Sequence, residues 1–281
     1  MNEKLILTMS CPDRPGIVYA VTGLLASVGG NILESRQYND TAEKRFFIRI
    51  EADVPGGRAT IENALTQLAR NYRMTLRIGV PARPMRTVIM VSKEAHCVSD
   101  LLAKTRENRL PLEIAAVVGN HGTLRELAEF YGADFIHIPV TAKTKARAEE
   151  QLLQTVSERK AELIVLARYM QILSPQLCEK MAGNIINIHH SFLPSFKGAR
   201  PYTQAYERGV KLIGATAHYV TPDLDEGPII EQDVVRVTHA DTPHTLAAKG
   251  AEVERTVLSR AVRWHAEHRI IPNGSRTVVF S

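Results

Sequence analysis

The densest group of residues able to do chemistry is Asn187-Ile188-His189-His190-Ser191, which ends a short apolar run beginning at Ile185. A second group, Asp223-Leu224-Asp225-Glu226-Gly227-Pro228, follows another apolar run, residues 212–219, which itself carries His218. Side chains on a strand repeat every two residues, so Asn187 and His189 share a face. An amide donor beside an imidazole suits a carbonyl oxygen that is gaining negative charge. A carboxylate at the next strand end, Asp225, suits the orientation of a water molecule and the movement of its proton. Singly, each residue also has a structural reading: His189 as a hydrogen-bonded strand-end histidine, Asn187 as a turn cap, Asp225 as a turn former. His190, adjacent to His189, is expected to point to the opposite face, and Ser191 and His218 are candidates for supporting roles. No metal is expected, because no Cys or carboxylate stands at ligand spacing from His189. G-x-S-x-G, P-loop and G-x-G-x-x-G patterns are absent from the sequence.

The elements that must position these residues fall into two patterns. Residues 4–10 read as a strand, and Ile17, Ala20, Val21, Leu24, Leu25 and Val28 repeat at helical spacing up to Gly29-Gly30. Residues 31–39 and 44–53 read as two strands. In the second, Phe46, Ile48 and Ile50 alternate with Arg45, Arg49 and Glu51, which predicts one face on a core and the other in water. A helix around residues 61–72 and a strand at 74–80 complete a βαββαβ, ferredoxin-like domain over residues 1–81. Residues 82–86, within the Pro81-Ala82-Arg83-Pro84 stretch and just after it, read as a linker. Beyond it, continuous apolar runs at 87–91, 114–118 and 163–167 alternate with helical stretches at 99–106, 123–131 and 144–160. Such runs are buried on both faces, as in the mostly parallel sheet of a doubly wound α/β domain, here residues 87–281. Ligands of such domains bind beyond the carboxyl ends of the strands, where Asn187 and His189 stand. A helix near 245–265 and a strand at 277–280 close the chain.

Composition narrows the classes. The 281 residues are 44% apolar and 23% charged, with a net charge of +5 and acidic and basic residues interleaved. That mixture favours a small anionic substrate over nucleic acid. Three scattered cysteines, no basic-apolar leader and no run long enough to span a membrane lead us to expect a cytoplasmic protein.

With Leu193-Pro194 after Asn187, His189 and Ser191, and with Leu224-Asp225 and Gly227-Pro228, the sequence resembles folate-dependent formyltransferases. Residues 166–175, Leu-Ala-Arg-Tyr-Met-Gln-Ile-Leu-Ser-Pro, resemble that group's folate-binding segment. The stretches 93–97, 113–121, 185–194, 198–202 and 204–209 bring the whole chain close to the formyltetrahydrofolate deformylase family, whose N-terminal domain is an ACT domain. The resemblance implies hydrolysis of 10-formyltetrahydrofolate by Asn187, His189 and Asp225, with folate held by Met170, Gln171, Ile172, Leu173 and Leu224. Folate is then the substrate, no further cofactor is implied, and the formate would supply purine synthesis and balance the one-carbon folate pools. Gln171 departs from the Arg of many relatives. In ACT domains a small amino acid binds near the first helix, which implies glycine or methionine at Asp13, Pro15, Gly16, Ile17 and Asn31. Exposed sheet edges lead us to expect a homodimer or homotetramer.

Two rival functions are weighed: the same three residues would serve the first, and the intact Asn187, His189 and Asp225 set speaks against the second. One passes the formyl group to an amine such as glycinamide ribonucleotide; the other is an amino-acid sensor with an inactive folate site. Against the first, residues 92–99 contain no glycine to wrap a phosphate and place Glu94 where an anion would sit. This loop is expected to close the acceptor pocket to all but water.

Overall fold

The computed structural model describes residues 2–81, 83–193 and 201–281. Pro194 and residues 198–200, part of the resemblance, and Ala82 of the linker lie outside the described residues. The chain divides into two units: residues 1–84, 267–273 and 277–281 form one, and 85–266 with 274–276 the other.

In the first unit, β1 (Asn2–Pro12), α1 (Ile17–Ser27), β2 (Asn31–Asp40), β3 (Arg45–Pro55), α2 (Arg58–Tyr72) and β4 (Thr75–Gly79) follow the expected βαββαβ order. The sheet is antiparallel with order β2-β3-β1-β4. Leu5, Leu7 and Met9 of β1 and Ile48 and Ile50 of β3 pack with Val21, Leu25, Ile61 and Leu65 of the two helices. Gly16 caps α1 with φ of 88°, a conformation glycine adopts without cost.

The second unit contains β5 (Met85–Val91), α3 (His96–Arg106), β6 (Leu112–Gly119), a 3-10 turn (Gly122–Leu124), α4 (Arg125–Phe130), β7 (Phe135–His137), α5 (Lys145–Glu158), β8 (Leu163–Leu166), α6 (Pro175–Lys180), β9 (Ile185–His189), α7 (Pro201–Glu207), β10 (Leu212–Tyr219), β11 (Ile229–Arg236) and α8 (Pro243–Ala266). Its seven strands run in the order β11-β10-β9-β8-β5-β6-β7. The five from β9 to β7 are parallel, and β10 and β11 are antiparallel to their neighbours. The strand order reverses between β8 and β5, so the crevice of this sheet opens at their carboxyl ends.

Two expectations change. The terminal strand, read as part of the second domain, belongs to a hairpin of β12 (Ile270–Asn273) and β13 (Arg276–Val279) whose residues group largely with the first unit. Ile271, Val278 and Phe280 pack on Phe47 there. The same segment corrects the reading of β3: Arg49, expected in water, is 2% exposed. It donates to the carbonyls of His268 and Glu267 and pairs with Glu34 at 2.6 Å. Strand alternation identified two faces correctly, but a cover contributed from the far end of the chain leaves no local signal.

Candidate active site

The short β9 delivers Asn187 and His189 on one face while Ile186 and Ile188 are buried on the other. Its antiparallel partner β10 sets the next contact, because Asn187 pairs in register with His218 and His189 with Thr216. The β10–β11 ladder shifts register between Ala217 and His218, an irregularity that re-aims side chains and is common beside active sites. His218 Nδ1 faces the carbonyl of Tyr219 at 2.9 Å, so this nitrogen carries the proton. Its Nε2 is then the acceptor for Asn187 Nδ2 at 3.2 Å, which fixes the amide orientation and leaves a second N–H for a ligand. Burial lowers the His218 pKa and keeps the ring neutral.

Asp225 comes from the connection between β10 and β11. The connection is held by Tyr219 N donating to the Pro228 carbonyl at 3.0 Å and Thr221 Oγ1 donating to the Asp223 carbonyl at 3.1 Å. Gly227 is required here, because a Cβ would overlap the carbonyl oxygen of Tyr219. Asp225 itself has φ of 57°, a left-handed conformation that is strained for a residue with a Cβ. Its Oδ1 lies 3.3 Å from His189 Nδ1 and 3.8 Å from His218 Nε2. The hydrogen bond from His189 holds its carboxyl below the ordinary value and outweighs the opposing effect of burial. His189 Nε2 is buried and has no hydrogen-bond partner among the described residues.

These residues line one side of a cleft of about 240 Å³. The irregular segment after β8 lines it too, and Met170 (56%) and Ile172 (58%) from that segment, with Leu224 (57%) from the β10–β11 connection, are exposed there. Large apolar side chains left exposed around a cleft suit a flat, partly apolar ligand. Ser92 Oγ accepts from Met170 N at 2.9 Å and Ser174 N donates to Glu149 at 2.8 Å, anchoring both ends of the segment. Leu173 is 8% exposed and serves both the core and the cleft wall. Gln171, Ile172 and Leu173 also line an adjoining pocket that contains Lys145.

The remaining sequence candidates divide. His218 joins Asn187 and Asp225. The hydroxyl of Ser191 is buried and meets no partner among the described residues, whereas its carbonyl accepts from Thr216 Oγ1 at 2.9 Å. His190 does not turn to the opposite face: β9 ends at His189, and the two rings stack with centroids 5.0 Å apart and planes at 14°. In the first unit, Asp13 accepts from Asn39 at 2.7 Å, and Pro15, Gly16 and Asn31 are exposed. Ile17 is 3% exposed and in the core, so its side chain is closed to an effector.

Sequence reasoning missed Thr216, Gln232, Arg168, Tyr202 and Glu254. Thr216 Oγ1 and Gln232 Nε2 tie down the loop after β9, the first accepting from Leu193 N at 3.0 Å and the second donating to the Leu193 carbonyl at 2.9 Å. Glu254 did leave a signal. It sits on the apolar stripe of α8 with Gly250, Val257, Leu258 and Ala261, where a solvated glutamate has no place. His96, Cys97 and Glu254 come within 4.8 Å of one another. Burial raises the Cys97 thiol well above its ordinary value, and the Glu254 carboxylate already accepts from His96 and Tyr202. His96 and Glu254 therefore read as a hydrogen-bonded pair beside a buried thiol rather than as a cation site.

Residues 3–79 match the ACT domain family and residues 85–262 the formyl transferase family. Fold and site thus define an ACT domain followed by a formyl transferase domain. The formyltetrahydrofolate deformylase of Corynebacterium sp. (strain P-1) is 47% identical, with 99% of both chains covered. The crystal structure of a formyltetrahydrofolate deformylase from Pseudomonas syringae pv. tomato superposes with a TM-score of 0.96 at 45% identity, over 99% of this chain and 95% of that one. Glycinamide ribonucleotide transformylase 1 from Symbiobacterium toebii is 30% identical with a TM-score of 0.66, covering 70% of this chain and 94% of its own. The chain belongs to the formyltetrahydrofolate deformylase family.

Proposed function

We propose that the cleft hydrolyses 10-formyltetrahydrofolate to formate and tetrahydrofolate. The observation that carries this reading is the convergence of Asn187, His189 and the Asp225 carboxylate on one side of the cleft beside an apolar wall, in a chain of this family.

The chemistry follows from the donors. With His189 protonated and Nδ1 turned to Asp225, Nε2–H and the Asn187 amide donate to the formyl oxygen as water attacks the carbon. Asp225, ionised, takes a proton from that water, and a proton passes to N10 as the C–N10 bond breaks. Formate and tetrahydrofolate leave, and no group remains on the protein. The apolar positions Met170, Ile172, Leu173 and Leu224 receive the pterin, with Gln171 among them. The acidic tail extends past Gln171 toward Lys145, whose ammonium matches a carboxylate, while Glu149 on the same wall carries the opposite charge.

The ACT unit supports regulation by a small amino acid, glycine or methionine, at the exposed Asp13–Gly16 turn and Asn31, with a carboxylate favoured at the start of α1. The exposed edge strand β2 supports assembly into a dimer or tetramer. Among the described residues no helix is long and apolar enough to cross a membrane. The products fit a role in supplying formate to purine synthesis within the cytoplasm. The direct test is incubation with 10-formyltetrahydrofolate and no amine. Stoichiometric formate supports the reading, and formate that appears only with an added amine sinks it.

A further inference from the structure

Behind His190 the second unit buries a charge network that the proposed hydrolysis does not use. Glu254 of α8 is 1% exposed. It accepts from His96 Nε2 at 2.8 Å and from Tyr202 Oη at 2.7 Å, and Arg168 Nε lies 3.5 Å away. Arg168 Nη1 meets His190 Nδ1 at 2.5 Å, and His190 stacks on His189. Burial, then the Arg168 charge, pushes His190 down to about 4, so its neutral ring accepts that bond. Burial would raise Glu254, but the His96 hydrogen bond and the Arg168 charge overcome it and keep the carboxylate. Burial and the Glu254 charge push the Tyr202 phenol up, so Oη stays a donor.

Separate parts of the chain are shaped for this assembly. α3 supplies His96, the segment after β8 supplies Arg168, α7 supplies Tyr202 and α8 supplies Glu254. Arg168 adopts φ of 62°, strained for a side chain of this kind. Gly250, one turn before Glu254, leaves room for Tyr202, because a Cβ there would overlap its ring and hydroxyl. Buried ion pairs rarely stabilise a fold more than apolar packing would. A network of this kind next to the reacting atoms is better accounted for by what it does to the site.

An acceptor for the formyl group must reach its carbon from a side that folate and the Asn187–His189 donors leave open. On the His189 side the cleft wall is Arg168 and His190, and His96, Tyr202 and Glu254 support it from behind. We infer that the network Arg168–His190–Tyr202–His96–Glu254 determines acceptor specificity by filling the space an amine would occupy, so that only water fits beside Asp225. This rests on the hydrolytic reading above and names the residues that enforce it. It also relocates the barrier from the 92–99 segment, which does not line the cleft, to the wall that His96 of α3 supports through Glu254.

If the network is opened, a small amine enters. Its nitrogen attacks the formyl carbon, its proton passes through Asp225 to N10, the C–N10 bond breaks, and an N-formyl amide replaces formate. The test uses the full-length protein with 10-formyltetrahydrofolate and excess glycinamide, a primary amine without phosphate, counting formate and N-formylglycinamide by mass spectrometry. The native protein yields formate alone. Tyr202→Ala and His190→Ala each divert about a tenth or more of the formyl groups to the amide. Tyr202→Phe, which loses the bond to Glu254 but keeps the ring, yields formate alone. If one alanine variant fails to fold, the other gives the same reading. Formate alone from an alanine variant that melts cooperatively and still turns over overturns the inference. Absence of acceptor-free formate from the native protein strikes the hydrolytic reading instead.

Discussion

Gly227→Ala tests whether the Asp225 loop is placed by the backbone contact at the end of β10. The added Cβ would overlap the Tyr219 carbonyl oxygen and lie 2.9 Å from its carbon. That carbonyl also accepts from His218 Nδ1, so it cannot retreat without releasing the histidine that orients Asn187. The loop must therefore move, by about 1.5–2 Å to carry that 1.7 Å approach to ordinary contact. Asp225, two residues away and 3.3 Å from His189, moves with it. A misplacement of about 1 Å in a reacting group costs roughly 10²-fold in rate, about 2.7 kcal/mol of barrier. The expected outcome is a kcat lower by that order, with a smaller rise in KM from displaced Leu224, and a melting temperature only modestly reduced. Initial rates of formate release over a range of substrate concentrations, with thermal melts alongside, make the measurement. A kcat within threefold of native, in a variant with the added methyl confirmed, would refute the argument that this contact places Asp225.

Other outcomes are expected from the same geometry. Asn187→Ala and His189→Ala should each remove a donor to the oxyanion, lowering kcat by about 10²–10³-fold (about 3–4 kcal/mol) while circular dichroism stays native; near-native turnover in either removes that residue from the mechanism. Lys145→Ala should raise KM about tenfold and leave kcat within twofold, since it meets the acidic tail and not the formyl group; an unchanged KM would assign the tail elsewhere. Because the hydrogen bond from His189 depresses the Asp225 pKa, the carboxylate stabilises the fold above its ordinary value of 3.8, and this contribution is lost as pH falls through the lower folded value. Asp225→Asn should therefore lower the melting temperature at pH 7 and lower it progressively less as pH falls below 3.8, and a loss that does not shrink over that range would contradict the ion pair.

Much of this was legible in the residues. Periods of two and 3.6 located most elements of the first unit, and the continuous apolar runs located the parallel strands. The Asn187, His189 and Asp225 grouping was readable because two of the three share a strand face and the third follows the adjacent strand. Contacts made at a distance were not readable. Arg49 looked solvated because its cover arrives from Glu267 and His268. Strand β11 was missed because its middle is polar, and the short β7 because it has three residues. His190 was assigned by strand alternation, which fails where the strand stops. The Glu254 network draws on five parts of the chain, and only the misplaced charge on α8 hinted at it.

The most direct test of water as the acceptor is the fate of its oxygen. The reaction is run with 10-formyltetrahydrofolate in oxygen-18 water without any amine, and the formate is examined by mass spectrometry. Attack by water at the Asn187–His189–Asp225 site predicts one labelled oxygen in each formate and tetrahydrofolate formed in equal amount, both abolished in Asp225→Ala. Labelled formate released undiminished by that variant, or no formate until an amine is supplied, would contradict hydrolysis at this site.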